Sequence, residues 1–294
     1  MRNSHDRSPR GGGEGGVIAR AAPLVAPLVR TIYAAGGAIL RVYGTDFQVD
    51  LKDDASPLTR ADREAHGIIT EALARLACPG WFETPLPVLS EEGRGIPYEE
   101  RSEWGLYWLV DPLDGTKEFV SRNGEFTVNV ALIEGTRPVL GLVSVPVRDV
   151  VYWGVPGEGA FKLEGAGGAA EGSDSPVQAA RALAPVDPLP ASGGLVRVVG
   201  SRSHSGEGFE RYMDELRKRF SDVEVVYAGS AVKFCLVAEG RADVYPRVGR
   251  TMEWDTAAGQ AVAAGVGKRT YSLTTGEELR YNKPELANHP FVCR

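Results

Sequence analysis

The sequence of 294 residues is poor in the side chains that build zinc sites and disulfide frameworks. Its three cysteines, Cys78, Cys235 and Cys293, are scattered, odd in number and form no Cys-x-x-Cys pair. This pattern favours free thiols in a reducing cytoplasm. The four histidines show no His-Glu-x-x-His spacing, so a zinc hydrolase is not expected.

The sequence also lacks an excess of basic charge and a long apolar run. The net charge is −6 and the pI is near 5.4, which argues against nucleic-acid binding through a broad basic surface. A small anionic ligand is still compatible, because bound cations can invert the local field. The most apolar early segment, residues 17–40, is interrupted by Arg20, Pro23, Pro27 and Arg30 and lacks the layout of a signal peptide. We therefore expect no integral membrane segment.

What the sequence does contain is an unusual acidic turn. Three apolar residues, Trp108 to Val110, run directly into Asp111 and Asp114, and Gly115 and Thr116 follow. The apolar run predicts the end of a buried strand, and the Asp-Pro and Asp-Gly steps predict a sharp turn after it. We call residues 111–116 the acidic elbow. Two carboxylates and a hydroxyl on a rigid turn suit a hard divalent cation such as Mg²⁺, although the stretch alone is equally typical of an ordinary loop.

Further acids lie where they could join the acidic elbow. A short apolar strand at 87–90 ends in Glu91, and the ends of neighbouring strands converge in a sheet. Thr59 is placed to cap a helix, and Asp62, three residues on, can complete a capping box. Taken alone, Asp62 is a first-turn acid that complements the helix dipole, and it gains a role in chemistry only if it faces the elbow.

The pattern of the chain predicts a disordered extension followed by two halves. We expect residues 1–16 to be disordered, because they are rich in glycine and polar residues. Residues 17–185 form an α+β half, with helices and then a run of antiparallel strands, and residues 186–294 form an alternating α/β half. Residues 165–194 are expected to form surface loop or linker. Expected helices span 23–43, 60–77, 207–220, 231–239 and 253–264, and expected strands span 47–51, 87–90, 125–132, 139–147, 150–154, 157–163, 195–199, 223–227 and 242–245.

Three separated motifs together resemble the inositol monophosphatase superfamily of Mg²⁺-dependent, lithium-sensitive phosphatases. They are LSEE at 89–92, DPLDGT at 111–116 and EWDTAAG at 253–259. Within the superfamily the chain is most similar to the bacterial 3′(2′),5′-bisphosphate nucleotidases. The resemblance runs from about residue 22 to the C-terminus and extends to stretches at 52–62, 116–119, 200–204 and 230–235. It implies a layered αβαβα sugar-phosphatase fold of the α/β class, with the active site between the halves.

The resemblance also implies a metal site of two or three Mg²⁺ ions. One ion would be held by Glu91, Asp111 and the backbone carbonyl of Leu113. A second would be held by Asp111, Asp114 and Asp255, so that Asp111 bridges the two. In two-metal sites the ions lie roughly 3.5–4 Å apart and clamp the attacking and leaving oxygens of an in-line displacement.

Catalytic and substrate-binding roles follow from the same resemblance. Thr116 and Asp62 would take the proton from the attacking water, because a threonine hydroxyl is too weak a base without a carboxylate to relay to. Backbone N–H groups at Gly115 and Thr116 would point at the phosphate. His204 is placed either to contact the substrate or as an ordinary helix-start histidine. The implied contacts to the rest of the substrate come from Ser201, His204, Ser230, Lys233 and one of Arg247 and Arg250, between which the sequence does not choose.

The implied reaction is Mg²⁺-dependent hydrolysis of the 3′-phosphate of adenosine 3′,5′-bisphosphate to AMP and phosphate. Such an activity would clear the by-product of sulfate activation. The alternatives are inositol monophosphatase or fructose-1,6-bisphosphatase activity on the same fold, and a catalytically idle regulator that binds metal or nucleotide. A mere binder has no need of Thr116 and Asp62. We expect a cytoplasmic protein whose partner is a small phosphorylated nucleotide and not a nucleic acid; peripheral inner-membrane association and a homodimer are left open.

Overall fold

The computed structural model describes residues 14–51, 57–165, 167–168, 176–189, 191–201 and 206–294. The predictions for His204, for the loop at 52–56 and for residues 1–13 therefore lie outside the described residues. The helices are α1 (Glu14–Tyr43), α2 (Arg60–Leu73), α3 (Tyr98–Arg101), α4 (Thr116–Val120), α5 (Glu207–Arg219), α6 (Val232–Ala238) and α7 (Glu253–Gly265), with a 3-10 turn at Pro146–Arg148. The strands are β1 (Val49–Leu51), β2 (Pro57–Thr59), β3 (Val88–Ser90), β4 (Leu106–Asp114), β5 (Thr127–Glu134), β6 (Arg137–Val145), β7 (Val150–Val155), β8 (Gly159–Glu164), β9 (Arg181–Ala182), β10 (Leu195–Gly200), β11 (Asp222–Tyr227), β12 (Tyr245–Arg247), β13 (Thr270–Ser272) and β14 (Phe291–Cys293).

A seven-stranded sheet in the order β3-β4-β5-β6-β7-β8-β9 forms the centre of the molecule. Strands β3 and β4 are parallel, and every later neighbour is antiparallel. Because alternate side chains of a strand point to opposite faces, both faces of this apolar sheet need cover. Helices α1 and α2 cover one face, where Leu28, Ile32 and Ile69 pack against Trp108 and Trp153.

The second half of the chain covers the other face. Helices α6 and α7 pack there in one apolar cluster that includes Phe234, Val262, Leu109 and Val143. Beyond them lie the parallel pair β10-β11 and the sheet β12-β14-β13, and α5 packs on this outer layer through Met213. The order of layers is helix, sheet, helix, sheet, helix, which confirms the predicted αβαβα architecture.

Helix α1 differs from the prediction at its start. It begins at Glu14, so residues 14–16 are helical rather than disordered, and it continues through Pro23 and Pro27. By length and composition the stretch Ala21–Tyr43 is long and apolar enough to cross a membrane, which the sequence analysis did not anticipate. Half of its most apolar window is buried inside the protein, and a core helix of a soluble protein meets the same two criteria.

Two smaller differences concern the linker and the strand before α7. Strand β9 lies inside the predicted linker and pairs with β8 through Phe161 and Lys162. The strand predicted at 242–245 is instead β12 at Tyr245–Arg247, because its register is set by pairing with β14 at the end of the chain. That partner is distant in sequence, so a local pattern could not reveal it.

The central sheet and α7 approach each other closely at Gly141 of β6. A Cβ atom at this position would lie 2.7 Å from the Cβ of Ala261 and 2.8 Å from the Cα of Ala258, both on α7. We expect Gly141→Ala to lower the free energy of unfolding by about 1–3 kcal/mol through overpacking, measured by denaturant titration. Gly67→Ala is the matched control, because Gly67 lies in α2 with open space around it; it should be neutral or stabilise by up to about 1 kcal/mol. Equal effects of the two substitutions would contradict this account of the packing.

Candidate active site

The acidic elbow is a bulge at the end of β4. Strand β4 pairs with β5 up to Asp111, opposite Asn129, and resumes at Asp114, opposite Thr127, so two residues of β4 face one of β5. Such a bulge re-aims side chains at the end of a strand. Gly115 then has φ +89°, and a Cβ atom there would collide with Oγ of Ser230. The turn therefore requires glycine at this position.

Glu91 meets the elbow because β3 and β4 are parallel and in register. Ser90 pairs with Val110, and the backbone N–H of Glu91 donates to the carbonyl of Val110 at 3.1 Å. The residue after each member of this pair is an acid. Glu91 directly follows β3, and Asp111 lies in β4. The side chains of these two acids share a hydrogen bond, and Asp111 also accepts one from the backbone N–H of Leu113 at 3.0 Å.

Asp255 arrives from the second half on the first turn of α7. Its Oδ2 accepts a hydrogen bond from the backbone N–H of Met252 at 2.9 Å, which caps the helix and fixes the carboxylate. A buried network holds this turn in place: Glu253 accepts from the backbone N–H groups of Asn282 and Lys283 and pairs with the Lys283 ammonium at 2.6 Å. Asp255 thereby faces the elbow acids across the boundary between the halves.

The four carboxylates strongly perturb one another. Burial raises the pKa of Asp111 well above its ordinary value, and the charges of Glu91, Asp114 and Asp255 raise it further. Burial, followed by the charge of Asp114, likewise raises the pKa of Asp255. Burial raises the pKa of Asp114 as well, against the opposing charge of Lys233. Without a compensating cation this cluster is unfavourable when ionised.

The donor set fits Mg²⁺, which binds carboxylate and carbonyl oxygens. No three acidic, histidine or cysteine side chains in the described ranges already stand in the spacing of a complete ion site. The charges of Glu91, Asp114 and Asp255 all raise the pKa of Asp111, so these four acids lie near one another. Their binding of a common metal centre stays a prediction.

Asp62 lies beside the elbow and is held in a fixed orientation. Its Oδ2 accepts from the backbone N–H of Thr59 at 2.7 Å and from the Thr59 hydroxyl at 2.6 Å, which completes the predicted capping box. Its other oxygen, Oδ1, lies 3.3 Å from the hydroxyl of Thr116. That hydroxyl also lies 3.3 Å from the carbonyl of Leu113, so its single proton can go to either acceptor. The geometric condition for a Thr116–Asp62 pair is met.

A cavity between the two halves opens onto the acids. Asp114, Gly115 and Asp255 line it together with most of the predicted substrate contacts, namely Ser201, Ser230, Lys233 and Arg247. Arg250 is exposed, and its carbonyl accepts a hydrogen bond from Arg247 at 3.3 Å. The side chain that faces the cavity is therefore that of Arg247, which ends β12 rather than lying in a loop.

Lys233 and Ser230 lie at the start of α6. Lys233 is the second residue of the helix; its ammonium lies 3.4 Å from the carbonyl of Ala228, and burial lowers its pKa to about 8. Ser230 precedes the helix in a left-handed conformation with φ 49°. Its hydroxyl lies 2.9 Å from the carbonyl of Asp114 and 2.9 Å from that of Glu125, so it joins α6 to the elbow. Contact of Ser230 with an anion stays a prediction.

The cavity also contains residues that sequence reasoning missed, namely Glu118, Tyr245, Thr251 and Thr256. The sequence could have indicated Glu118, because it lies three residues after Gly115, and residues three apart share a face of a helix. Thr251 and Tyr245 reach the cavity through β12 and the loop after it, which no local pattern marks.

Buried carboxylates at paired strand ends, a hydroxyl–carboxylate pair beside them and a cavity lined by cations define a metal-dependent phosphatase. The family model of the inositol monophosphatase family matches residues 21–290. The chain belongs to this family.

Relatives with known names are similar over most of the chain. The chain is 42% identical over 259 residues to the 3′(2′),5′-bisphosphate nucleotidase CysQ of Escherichia coli strain K12, covering 87% of this chain and 93% of that protein. It is 34% identical over 262 residues to the CysQ nucleotidase of Haemophilus influenzae, covering 88% of each. The crystal structure of CysQ from Bacteroides thetaiotaomicron superimposes with a TM-score of 0.79 at 42% identity, covering 94% of this chain and 97% of that one.

The repulsion within the acid cluster has a measurable consequence for stability. The pKa of Asp111 is higher in the folded protein than in the unfolded chain. The stability that this carboxyl group contributes is therefore fully present below its unfolded pKa of 3.8, and it is lost as the pH rises toward the folded pKa. We expect Asp111→Asn to raise the free energy of unfolding of the EDTA-treated protein at pH 7, because the amide removes one of the mutually repelling buried charges. It should also abolish most of the increase in Tm that Mg²⁺ produces.

Asp214→Asn serves as the control, because Asp214 is an exposed acid on α5. This variant should leave both the stability in EDTA and the Mg²⁺-dependent shift close to those of the unmodified protein. A metal-free Asp111→Asn protein that is less stable than its parent would show that the cluster is not under electrostatic strain.

Proposed function

We propose that this protein is a Mg²⁺-dependent phosphatase that hydrolyses the 3′-phosphate of adenosine 3′,5′-bisphosphate to AMP and phosphate. The observation that carries the chemistry is the Thr116 hydroxyl placed 3.3 Å from the fixed Asp62 carboxylate, at the edge of a four-carboxylate cluster. Similarity to nucleotidases at 42% identity over 87% of the chain supports the choice of substrate.

The proton of the attacking water is handled by Thr116 and Asp62. Oγ1 of Thr116 accepts that proton while its own proton moves to Oδ1 of Asp62. This requires Asp62 to keep its orientation throughout, and the two hydrogen bonds from Thr59 to Oδ2 provide that. A relay through a carboxylate allows a weakly basic hydroxyl to act at neutral pH.

Two or three Mg²⁺ ions, held by Glu91, Asp111, the Leu113 carbonyl, Asp114 and Asp255, would neutralise charge on the phosphate and lower the pKa of the attacking water. The protein supplies the remaining positive charge through the buried ammonium of Lys233 and the guanidinium of Arg247. Both line the cavity, and we propose that a second phosphate of the substrate lies against them. Ser201 and His204 are proposed to contact this part of the substrate, and the backbone at Gly115 and Thr116 the reacting phosphate.

The same cluster would also serve inositol monophosphate or fructose 1,6-bisphosphate, because fold and metal site do not fix the substrate. The two basic residues that line the cavity favour a substrate with a second phosphate. We further propose that the enzyme acts in the cytoplasm on a small nucleotide substrate. The half formed by residues 17–185 would carry most of the metal ligands, and the half formed by residues 186–294 would carry Asp255 and the substrate-binding residues. A homodimer is also compatible with the proposed function.

Phosphate release from three substrates compared side by side tests the proposed function. We expect adenosine 3′,5′-bisphosphate to be hydrolysed with Mg²⁺ and not with EDTA, and with a kcat/KM well above those for inositol 1-phosphate and fructose 1,6-bisphosphate. Phosphate should be released from the 3′ position, with AMP identified by chromatography. Release from inositol 1-phosphate alone would select the alternative, and no release from the adenosine compound with any divalent ion would refute the proposal.

The Thr116–Asp62 pair is tested by Asp62→Asn. The amide keeps an oxygen for the Thr59 cap but cannot accept the relayed proton, so we expect kcat to fall by about 10²–10⁴-fold. The Mg²⁺ concentration for half-maximal activity and the Tm should stay near those of the unmodified enzyme. A loss of Mg²⁺ affinity without a loss of saturated kcat would place Asp62 among the metal ligands instead.

A further inference from the structure

One acid in the active-site cavity has no part in the chemistry described so far. Glu118, on α4, lines the cavity together with Asp114, Lys233 and Arg247. Its Oε2 would lie 3.3 Å from a Cβ atom at Gly115, and its side chain packs against Gly229. The carboxylate therefore lies above the elbow glycine, next to the proposed position of the reacting phosphate.

The charge of Glu118 is not neutralised by a direct contact. Its negative charge raises the pKa of both Asp114 and Lys233, so the Glu118 carboxylate lies near the elbow and near the buried lysine. Within the part of the chain that the structure describes, its carboxylate forms no hydrogen bond and no ion pair. The half-buried side chain thus presents two acceptor oxygens to the cavity.

A carboxylate in a cavity that takes a doubly phosphorylated molecule repels the substrate unless the substrate donates a hydrogen bond to it. A ribose 3′-phosphate has such a donor on the carbon next to the phosphorylated one, the 2′-hydroxyl. The amino group of the base is further from the phosphorylated carbon, whereas Glu118 lies beside the elbow.

We propose that Glu118 determines specificity by accepting a hydrogen bond from the hydroxyl adjacent to the reacting phosphate. The inference rests on the proposed function and deepens it. The preferred substrates are phosphate monoesters with a vicinal hydroxyl, such as ribonucleotides, and 2′-deoxyribonucleotides are disfavoured. A hydrogen bond to a charged acceptor corresponds to a preference of about 10- to 100-fold in kcat/KM.

The test compares adenosine 3′,5′-bisphosphate with 2′-deoxyadenosine 3′,5′-bisphosphate, using phosphate release by the full chain with saturating Mg²⁺. We expect the unmodified enzyme to prefer the ribonucleotide by about 10- to 100-fold. Glu118→Ala should bring the ratio close to one through loss of activity on the ribonucleotide. Glu118→Gln keeps a neutral acceptor and should retain a smaller preference. Lys117→Ala, an exposed neighbour on the same helix, should leave the ratio unchanged.

The ratio separates substrate contact from other roles of Glu118. If the carboxylate only supported the charge of Lys233, its removal would change both substrates equally, and the proposal would fail. Equal hydrolysis of the two nucleotides by the unmodified enzyme would also overturn it while leaving the proposed function intact. Hydrolysis of neither nucleotide would overturn both.

Discussion

Mutual repulsion among four carboxylates is the constraint on which the rest of this structure depends. Burial and the charges of Glu91, Asp114 and Asp255 raise the pKa of Asp111, and burial and the charges of Asp114 and Glu91 raise that of Asp255. A fold tolerates such a cluster only if rigid elements hold each member. Here a parallel strand pair, a bulge and the capped first turn of a helix do so.

Two helix caps in this site also serve a second purpose. Asp62 and Asp255 each occupy the third position of a helix, and each uses one carboxylate oxygen to cap the backbone N–H of the residue before the helix. The other oxygen is then left at a defined position for chemistry. In this arrangement one hydrogen bond both stabilises the start of the helix and orients the functional carboxylate. Neither acid is therefore purely structural or purely catalytic.

The sequence predicted well those features of the site that depend on local pattern. The convergence of Glu91 and Asp111 follows from two short apolar runs that each end in acids, and the Thr59–Asp62 cap follows from spacing alone. The less predictable part depends on contacts between distant segments. The Ser230 hydroxyl lies against the carbonyls of Asp114 and Glu125 while its backbone is left-handed. The choice of Arg247 over Arg250 depends on pairing between β12 and β14. Glu118 was missed because its partner in the proposed role is the substrate rather than another residue.

Both halves of the chain bury the central sheet, so the sheet cannot be fully buried until the second half has been synthesised. Strand β9 ends at Ala182, whereas α7, which covers the second face, ends only at Gly265. At about 5–20 residues per second, a ribosome needs roughly 4–17 s to synthesise the 83 residues between these points. During that interval the face containing Tyr107, Leu109 and Val143 is not fully covered, because α6 and α7 are still being synthesised. The nascent chain therefore passes through a stage in which a broad apolar sheet is open to aggregation or to chaperones, before the last carboxylate of the site has been made.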